Sequence, residues 1–352
     1  MAKEKKTRSG KITPEWTLRE VAALPEMSTA GPYLIAGPRY GKLFINSGAD
    51  PAEARYLPNL HIKSMTVLNW DPDTVVEGLE YLRKVAGKGR LVYRIYSKEA
   101  RKEDPTRRSV NIMHFPGGKG SEKKPWIMIC AGGGYQEVCN VAEGFPIAKQ
   151  FNQLGYTVFV LSYRVSFKGL LPAPLEDLAE AIRFVRNNAE KFHVDPERYI
   201  VNGYSAGGNL TALWGTDNKG YKHYKLPKPV ALFPIYPTIS TPLMCGNSPV
   251  IPLKLKVFIE IMFGENPDKR TISSYDVDKH MSSDYPPCFI ACCRDDHTVP
   301  PANSERLKEK LDELGIPAVL EEYEKGGHGY GVGKGTDAEG WIERAVEFVQ
   351  SL

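Results

Sequence analysis

The chain has 352 residues, of which 42% are hydrophobic, so it can bury a sizeable core in one large domain or two small ones. Its 46 basic and 42 acidic residues leave a net charge of +4, an excess too small to indicate binding to nucleic acid or to an acidic membrane surface. The six cysteines are few for this length, and no CxxC pair has a matching His or Cys pair, which excludes the usual structural zinc patterns.

The apolar runs and the cysteines bear on the location of the protein. The N-terminus, MAKEKKTRSGK, lacks the apolar run of a secretory signal, and no stretch approaches the ~18 consecutive apolar residues of a membrane span. Several cysteines lie inside apolar, strand-like runs, which is typical of reduced thiols. We therefore expect a cytoplasmic protein with no membrane partner.

The first third of the chain differs in character from the rest. Residues 1–60 are rich in Pro, Gly and charge and show little periodicity, so we predict an N-terminal extension that packs on the core of a domain comprising residues 61–352. Residues 73–86 have a helical pattern. Residues 90–96 and 109–114 alternate like strands, which indicates an antiparallel start to a sheet.

From residue 126 onward, short apolar runs alternate with helical patterns. Strands that are buried on both faces have this appearance, so the sequence predicts a mostly parallel α/β sheet flanked by helices. The predicted strands are 126–130, 156–163, 199–202, 229–235, 287–292 and 316–323, and the predicted helices are 142–153, 175–192, 208–213, 301–314 and 338–352.

Residues 238–285 interrupt this alternation with many Pro and Ser residues around an apolar middle, Leu253 to Phe263. We predict a small cap-like insertion over the carboxyl edge of the sheet, where ligands bind in open α/β folds. Its apolar run has the pattern of a helix with one apolar side. Such a helix would either wall a pocket, with Phe258 and Met262 limiting the size of what enters it, or pack on the sheet, and the sequence leaves both options open.

The segment Gly203-Tyr204-Ser205-Ala206-Gly207 matches the G-x-S-x-G pattern of a nucleophile elbow. It follows a predicted strand and opens a predicted helix, which is the context that this motif requires. Small residues must flank the serine because the turn is tight. The sequence therefore predicts Ser205 as a nucleophile, with a glycine-rich turn of no chemical role as the alternative.

A second glycine-rich loop, from Cys130 to Tyr135, follows the predicted strand at 126–130. Glycines let backbone N–H groups approach a substrate oxygen, so we predict an oxyanion hole formed by the N–H groups of Gly133, Gly134 and Ala206. Nucleotide binding is disfavoured, because Glu137 occupies the position of the last glycine in G-x-G-x-x-G. The run Gly117 to Ser121 also lacks a Ser or Thr directly after its lysine.

A serine nucleophile needs a base and an orienting acid, which follow it in the order Ser, Asp, His in this type of fold. The strand at 287–292 ends in a loop that contains both Asp295 and Asp296. We favour Asp296, because it stands in Asp-x-x-Val-Pro with an apolar residue to anchor the loop, and keep Asp295 as the alternative. His328 lies in a glycine-rich loop after the last predicted strand, so it is our candidate base. His297 is the rival, but it is adjacent to Asp296 and their side chains should diverge.

These motifs resemble those of the α/β-hydrolase superfamily. The resemblance is to the bacterial esterase branch that includes acetylxylan-esterase-like and feruloyl-esterase-like proteins, near the hormone-sensitive-lipase group. The likeness runs from about residue 124 to 350 and includes CAGGGY, VFVLSYRV, DPERYIVNGYSAGG, DDHTVP and GGHGYG. Relatives tend to carry Pro or His where Ala131 stands, and Arg where Ala142 stands ahead of Glu143.

The resemblance implies ester hydrolysis through an acyl-enzyme by Ser205, His328 and Asp296, without a metal or cofactor. It favours small-molecule or oligosaccharide ester substrates with short acyl chains, such as acetylated sugars. A peptidase or amidase of the prolyl-oligopeptidase type is an alternative, and a non-catalytic binding protein that keeps the hydrolase fold is another. The sequence does not determine the oligomeric state, for which a homodimer is one option.

Overall fold

The structure, a computed structural model, describes residues 10–35, 59, 61–166, 168–244 and 251–352, with the backbone alone for 67–68 and 251–255. Its strands are β1 (Val92–Arg94), β2 (Asn111–Phe115), β3 (Trp126–Cys130), β4 (Val158–Ser162), β5 (Tyr199–Tyr204), β6 (Ala231–Ile235), β7 (Cys288–Cys293) and β8 (Ala318–Tyr323). Its α-helices are α1 (Leu18–Ala22), α2 (Pro72–Ala86), α3 (Ala100–Glu103), α4 (Asn140–Glu143), α5 (Phe145–Gln153), α6 (Ala173–Asn187), α7 (Ala189–Phe192), α8 (Ala206–Trp214), α9 (Ile251–Phe263), α10 (Lys269–Ser273), α11 (Ala302–Glu313) and α12 (Trp341–Ser351).

These strands form a single sheet in the order β1-β2-β4-β3-β5-β6-β7-β8. Strand β2 runs antiparallel to both of its neighbours, whereas every pairing from β4 to β8 is parallel. Strands β3 to β7 are buried along their whole length, as expected for parallel strands covered on both faces. The predicted mostly parallel sheet with an antiparallel start is therefore confirmed.

Two helices that the sequence predicts as continuous are each divided in two. The helix predicted at 142–153 is interrupted at Gly144, because Pro146 has no N–H to continue the hydrogen bonding of α4. The helix predicted at 175–192 breaks at Asn188, whose side-chain amide donates to the Phe184 carbonyl at 2.8 Å. Asparagine competes for backbone partners in this way and is therefore a weak residue in helix interiors.

The described part of the predicted N-terminal extension packs on the main domain. Trp16, Leu18 and Val21 are buried in the same hydrophobic core as the central strands. The backbone N–H of Ile12 donates to the carboxylate of Glu80 on α2. The division into an N-terminal extension and a domain of residues 61–352 stays a prediction, and the boundary at residue 60 lies outside the described residues.

The predicted insertion lies between β6 and β7 and contains α9 and α10. The last turn of α9 is held by backbone hydrogen bonds, since the N–H groups of residues 169–171 donate to the carbonyls of residues 260–262 at 2.9 to 3.0 Å. Met262 is 3% exposed and belongs to the core, whereas Phe258 is half-buried and packs against that core. Of the two predicted options, Met262 therefore follows the one in which the helix packs on the core. A pocket wall formed by Phe258 stays a prediction.

The parallel strands bring the predicted functional segments to one edge of the sheet. The loop from Ala131 follows β3, Ser205 follows β5, Asp296 follows β7 and His328 follows β8. Because parallel strands place their carboxyl ends at the same edge, these segments converge although they are far apart in the chain.

Candidate active site

Ser205 lies on a strained turn between β5 and α8. Its backbone angles are φ 52° and ψ −114°, a left-handed conformation that a non-glycine residue rarely adopts. A Cβ placed on Gly203 would lie 2.1 Å from the Gly207 carbonyl oxygen, and one on Gly207 would lie 1.9 Å from the Cys130 carbonyl oxygen. The turn therefore requires glycine on both sides of the serine, as the motif predicts.

The side chains of Ser205, His328 and Asp296 form a continuous hydrogen-bonded series. His328 Nε2 lies 2.8 Å from Ser205 Oγ, and His328 Nδ1 lies 2.7 Å from Asp296 Oδ2. Since a carboxylate only accepts hydrogen bonds, Nδ1–H donates to Asp296 and Nε2 is left to accept from the serine hydroxyl. The structure thus brings together the three residues that the sequence predicts.

Asp296 and Asp295 have different partners. Asp296 is fully buried at its side chain, and its second oxygen accepts the backbone N–H groups of Thr298 and Val299 at 2.8 and 2.9 Å. Asp295 instead accepts the N–H groups of Gly327 and Gly326 at 2.7 and 3.3 Å. Asp296 therefore contacts the imidazole, whereas Asp295 holds the backbone of the loop that carries it.

His297, the rival candidate for the base, is exposed. The histidine that contacts the Ser205 hydroxyl is His328. Asp296 is buried and faces inward, whereas the adjacent His297 side chain is turned toward solvent.

The glycine-rich loop after β3 passes beside Ser205, since a Cβ placed on Gly132 would lie 2.9 Å from Ser205 Cβ. Gly133 and Gly134 have φ angles of 131° and 61°, and the N–H of Ala206 is at the N-terminus of α8. Among the described residues, no protein acceptor takes the N–H of Gly133, Gly134 or Ala206. An unpaired N–H group at the positive end of a helix dipole can bind an anionic oxygen, and the oxyanion hole formed by Gly133, Gly134 and Ala206 stays a prediction.

Hydroxyl groups from neighbouring elements fix this loop in place. Tyr163, which directly follows β4, donates its hydroxyl to the Ala131 carbonyl at 2.5 Å, and Tyr135 donates to Asn209 Oδ1 on α8 at 2.8 Å. The side-chain amide of Asn209 in turn donates to the Thr238 carbonyl at 2.7 Å. The loop is therefore held to α8 and to the segment after β6.

Sequence reasoning assigned no role to Glu143, which proves to lie behind the loop. It is 4% exposed, and its carboxylate accepts the Gly132 N–H at 2.6 Å and the Tyr236 hydroxyl at 2.8 Å. The ring of Tyr236 contacts that of His328, with centroids 4.9 Å apart. The signal that could have revealed this residue is a lone acid in a short helix with no other charged side chain, because a buried acid is seldom without partners.

Burial governs the acid–base properties of this pair. Burial raises the pKa of Glu143, while the Tyr236 hydrogen bond, the charge of His328 and the Gly132 N–H act in the opposite direction. Burial and the repulsion of the nearby carboxylate raise the pKa of Tyr236 well above its ordinary value. Tyr236 therefore remains a neutral donor to Glu143 at ordinary pH.

Asn69 is a second residue that the sequence analysis missed. Its side-chain amide donates to the carbonyl oxygens of Gly326 and His328, both at 2.8 Å. Its backbone has a φ of 61°, which asparagine tolerates better than most residues. The loop that carries His328 is thus held by Asp295 at its N–H groups and by Asn69 at its carbonyls.

The described residues carry neither a metal-binding cluster nor a membrane-spanning helix. No group of three or more His, Cys, Asp or Glu side chains in the described part of the chain is placed to hold a metal ion. No helix in that part combines the length and the apolar character that crossing a bilayer requires. The five cysteines that the structure describes are free and buried, and Cys245 lies outside the described residues.

Comparison with known proteins places this geometry in a family. The family model that matches is BD-FAE, over residues 113–311, which is more than half of the chain. The chain belongs to the BD-FAE family. The predicted resemblance is confirmed, since this BD-FAE member is an esterase-like protein of the α/β-hydrolase superfamily.

Two curated relatives illustrate the family. The chain is 29% identical to an endo-1,4-beta-xylanase B from Butyrivibrio fibrisolvens over 239 residues, which cover 65% of this chain and 36% of the relative. It is 27% identical to an acetylxylan esterase from Xylanibacter ruminicola over 224 residues, which cover 63% of this chain and 43% of the relative. The BD-FAE chain thus spans less than half the length of these curated relatives.

Solved structures confirm the predicted α/β-hydrolase fold. An acetyl ester-xyloside bifunctional hydrolase from Caldicellulosiruptor lactoaceticus has a TM-score of 0.63 and 28% identity, with 74% of this chain and 95% of that chain covered. An α/β hydrolase from a deep-sea metagenome library has a TM-score of 0.52 and 23% identity, with 69% of this chain and 93% of that chain covered. The second likeness bears on the fold alone.

Proposed function

We propose that this chain is a serine carboxylic-ester hydrolase that cleaves short-chain acyl esters of sugars or oligosaccharides. The observation that carries the proposal is the hydrogen-bonded series from Ser205 through His328 to Asp296, next to the N–H of Ala206, for which the described residues offer no acceptor. A hydroxyl, a base and an orienting acid in this order are what acyl transfer to serine requires.

In the first step, Ser205 Oγ attacks the ester carbonyl carbon while its proton passes to His328 Nε2. The carbonyl oxygen becomes an oxyanion, which the N–H groups of Gly133, Gly134 and Ala206 bind. Asp296 keeps the other ring nitrogen protonated and offsets the charge of the imidazolium. The tetrahedral intermediate collapses as Nε2–H protonates the departing alkoxide, which leaves as an alcohol.

In the second step, water attacks the acyl-enzyme and gives one proton to His328. The second tetrahedral intermediate collapses, the carboxylic acid leaves, and the proton on Nε2 returns to Ser205 Oγ. No other group is needed to balance protons in either step. The choice of acetylated sugars is supported by the relatives that are named acetylxylan esterase and acetyl ester-xyloside hydrolase.

Replacement of the nucleophile tests the proposed chemistry. We expect Ser205→Ala to lower kcat/KM for nitrophenyl acetate on the order of 10⁴-fold and to abolish labelling by a fluorophosphonate probe. Ser121→Ala is the matched control, because it removes a buried hydroxyl near the opposite edge of the sheet and should leave both readouts unchanged. Most of the activity surviving in Ser205→Ala would refute the serine-hydrolase proposal.

The substrate class is tested separately. Acetate release from acetylated xylo-oligosaccharides should be compared with hydrolysis of nitrophenyl acetate, nitrophenyl octanoate and a prolyl amide. We expect the acetate esters to be cleaved faster than the octanoate and the amide to be inert. Equal rates on acetate and octanoate would refute the short-chain preference, and amide cleavage would support the peptidase alternative instead.

A further inference from the structure

Glu143 is a second carboxylate close to the proposed triad, in addition to Asp296. It is the last residue of the short helix α4, and burial leaves its side chain almost no solvent contact. Among the described residues, no Lys or Arg forms an ion pair with it, and the basic side chain that acts on its charge is His328. A buried carboxylate is rarely kept without a cationic partner, so its position calls for an explanation.

The two carboxylate oxygens of Glu143 reach the site from two sides. A Cβ placed on Gly132 would lie 2.7 Å from Glu143 Oε2 and 2.9 Å from Ser205 Cβ, so this glycine fills the narrow space between them. The other oxygen accepts the hydroxyl of Tyr236, whose ring contacts that of His328. Glu143 thus connects the glycine-rich loop after β3 with Tyr236, the aromatic neighbour of His328.

The other ionisable groups that surround Glu143 are neutral at ordinary pH. Burial raises the pKa of each of them, and repulsion by Glu143 raises it further. One of them, Cys139, directly precedes α4. The other three lie at the carboxyl ends of β4, β5 and β6 or one residue beyond: Tyr163, Tyr204 and Tyr236.

The groups that face His328 are equally few. Ser205 and Asp296 bind its two ring nitrogens, and Tyr236 packs against its ring. Asp295 binds the loop backbone rather than the ring. The negative charges available to a protonated His328 are therefore those of the two aspartates and Glu143.

We propose that Glu143 is a positioning residue for the acyl transfer proposed above, on which this inference rests. Its carboxylate stabilises the imidazolium that His328 becomes when it takes the serine proton. It also holds the Gly132 peptide so that the next N–H groups of the loop face the hydroxyl. Water does not reach this carboxylate, so its attraction for the imidazolium is weakly screened.

The charge of Glu143 affects the pH dependence of activity, whereas its packing does not. Without the negative charge, a protonated ring at His328 is less stabilised, so we expect the activity of the free enzyme to persist further into the acid range. At the same time, the imidazolium that forms during acyl transfer is less stabilised, so the maximal rate falls.

The variant Glu143→Gln separates charge from packing, because an amide can still accept from Gly132 N–H and donate to the Tyr236 hydroxyl oxygen. We expect the acid limb of kcat/KM for nitrophenyl acetate to move about one pH unit lower and the plateau to fall about tenfold. Tyr236→Phe removes the hydrogen bond that favours the ionised carboxyl, so it should shift the limb in the same direction by less. It keeps the test decisive if the Gln variant does not fold.

Glu321→Gln is the matched control. Glu321 also accepts a tyrosine hydroxyl, that of Tyr323, but lies on the edge strand β8, so its pH profile should equal that of the parent protein. A lower plateau with an unchanged acid limb in Glu143→Gln and Tyr236→Phe would overturn the inference and leave Glu143 a structural residue. That result differs from failure of the proposed function, in which the parent protein itself would neither hydrolyse the ester nor react with the probe at Ser205.

Discussion

Asp295 and Asp296 are adjacent in the chain, yet each supports a different part of His328. Asp296 contacts the ring nitrogen, and Asp295 accepts two backbone N–H groups of the loop that carries the ring. A carboxylate at either position would look equivalent in the sequence. The distinction depends on which side chain turns inward, and that is set by the N–H groups of Thr298 and Val299.

This difference predicts unequal losses of activity for two matched substitutions. Asp296→Asn should lower kcat/KM on the order of 10³- to 10⁴-fold, because an amide cannot offset the imidazolium charge or hold the required tautomer. Asp295→Asn keeps an oxygen that accepts a loop N–H, so its loss should be about tenfold or less. Ester hydrolysis by the two purified variants decides the assignment, and a larger loss in Asp295→Asn would reverse it.

Some residues of the site can be predicted from sequence and others cannot, for a physical reason. Ser205 and His328 stand among glycines that their own turns require, so the local sequence carries the signal. Glu143 and Asn69 act through partners that only the tertiary fold brings near, and nothing in their flanking residues indicates those partners.

At the scale of single elements, strand β2 carries a histidine in an aromatic environment. His114 stacks on Phe159 with centroids 4.9 Å apart and contacts the edge of Phe192 at 4.7 Å. Its buried Nε2 has no hydrogen-bond partner among the described residues. Burial, together with the charges of Lys191 and His193, lowers the pKa of His114 from 6.5 to about 4.

The position of His114 predicts a loss of stability in acid. Between pH 6.5 and about 4 the unfolded chain binds a proton at His114 that the folded protein does not, so the free energy of unfolding falls as the pH falls through this window. His114→Phe should remove on the order of 2 kcal/mol of that decrease. Urea titrations at the two ends of the window measure it.

The exposed His223 supplies the control for this experiment. His223→Gln removes a histidine that is in contact with solvent, so it should leave the slope of stability against pH as it is in the parent protein. Parallel curves for His114→Phe and the parent protein would show that His114 does not titrate differently in the folded and unfolded chains.

Local patterns predicted most strands because apolar runs identify buried positions irrespective of their partners. They failed at helix boundaries, where single residues decide, as at Pro146 and Asn188. They also missed α1, although Thr17 and Glu20 form a complete capping box that is readable as T-x-x-E. A five-residue helix has too little periodicity to be recognised without that cap.

At the scale of the whole molecule, the first part of the chain is bound to the last. Asn69 donates hydrogen bonds to the loop that contains His328. Within the first part itself, Thr17 pairs with His61 in an isolated bridge. Such contacts could not be predicted, since they join segments with no shared pattern. The oligomeric state and the cytoplasmic location stay predictions.

The link from Asn69 to the histidine loop can be tested without straining the backbone. Asn69→Gly suits the φ of 61° and deletes only the amide, so we expect a several-fold loss of kcat/KM with a change in the free energy of unfolding below about 1 kcal/mol. Asn266→Gly makes the same replacement at an exposed residue with a φ of 51° and should leave activity unchanged. Equal activities in both variants and the parent would show that the link does not position His328.

The contact between Asn69 and residues 326–328 also limits where this chain can be shortened or fused to another domain. The span that the family shares, residues 113–311, includes neither partner of that contact and stops short of His328 itself. A fusion or truncation drawn at the limits of family similarity would therefore separate the Ser205 hydroxyl from the histidine that contacts it. A transferable module needs both flanks, and a neighbouring domain is best joined before residue 10 or beyond α12.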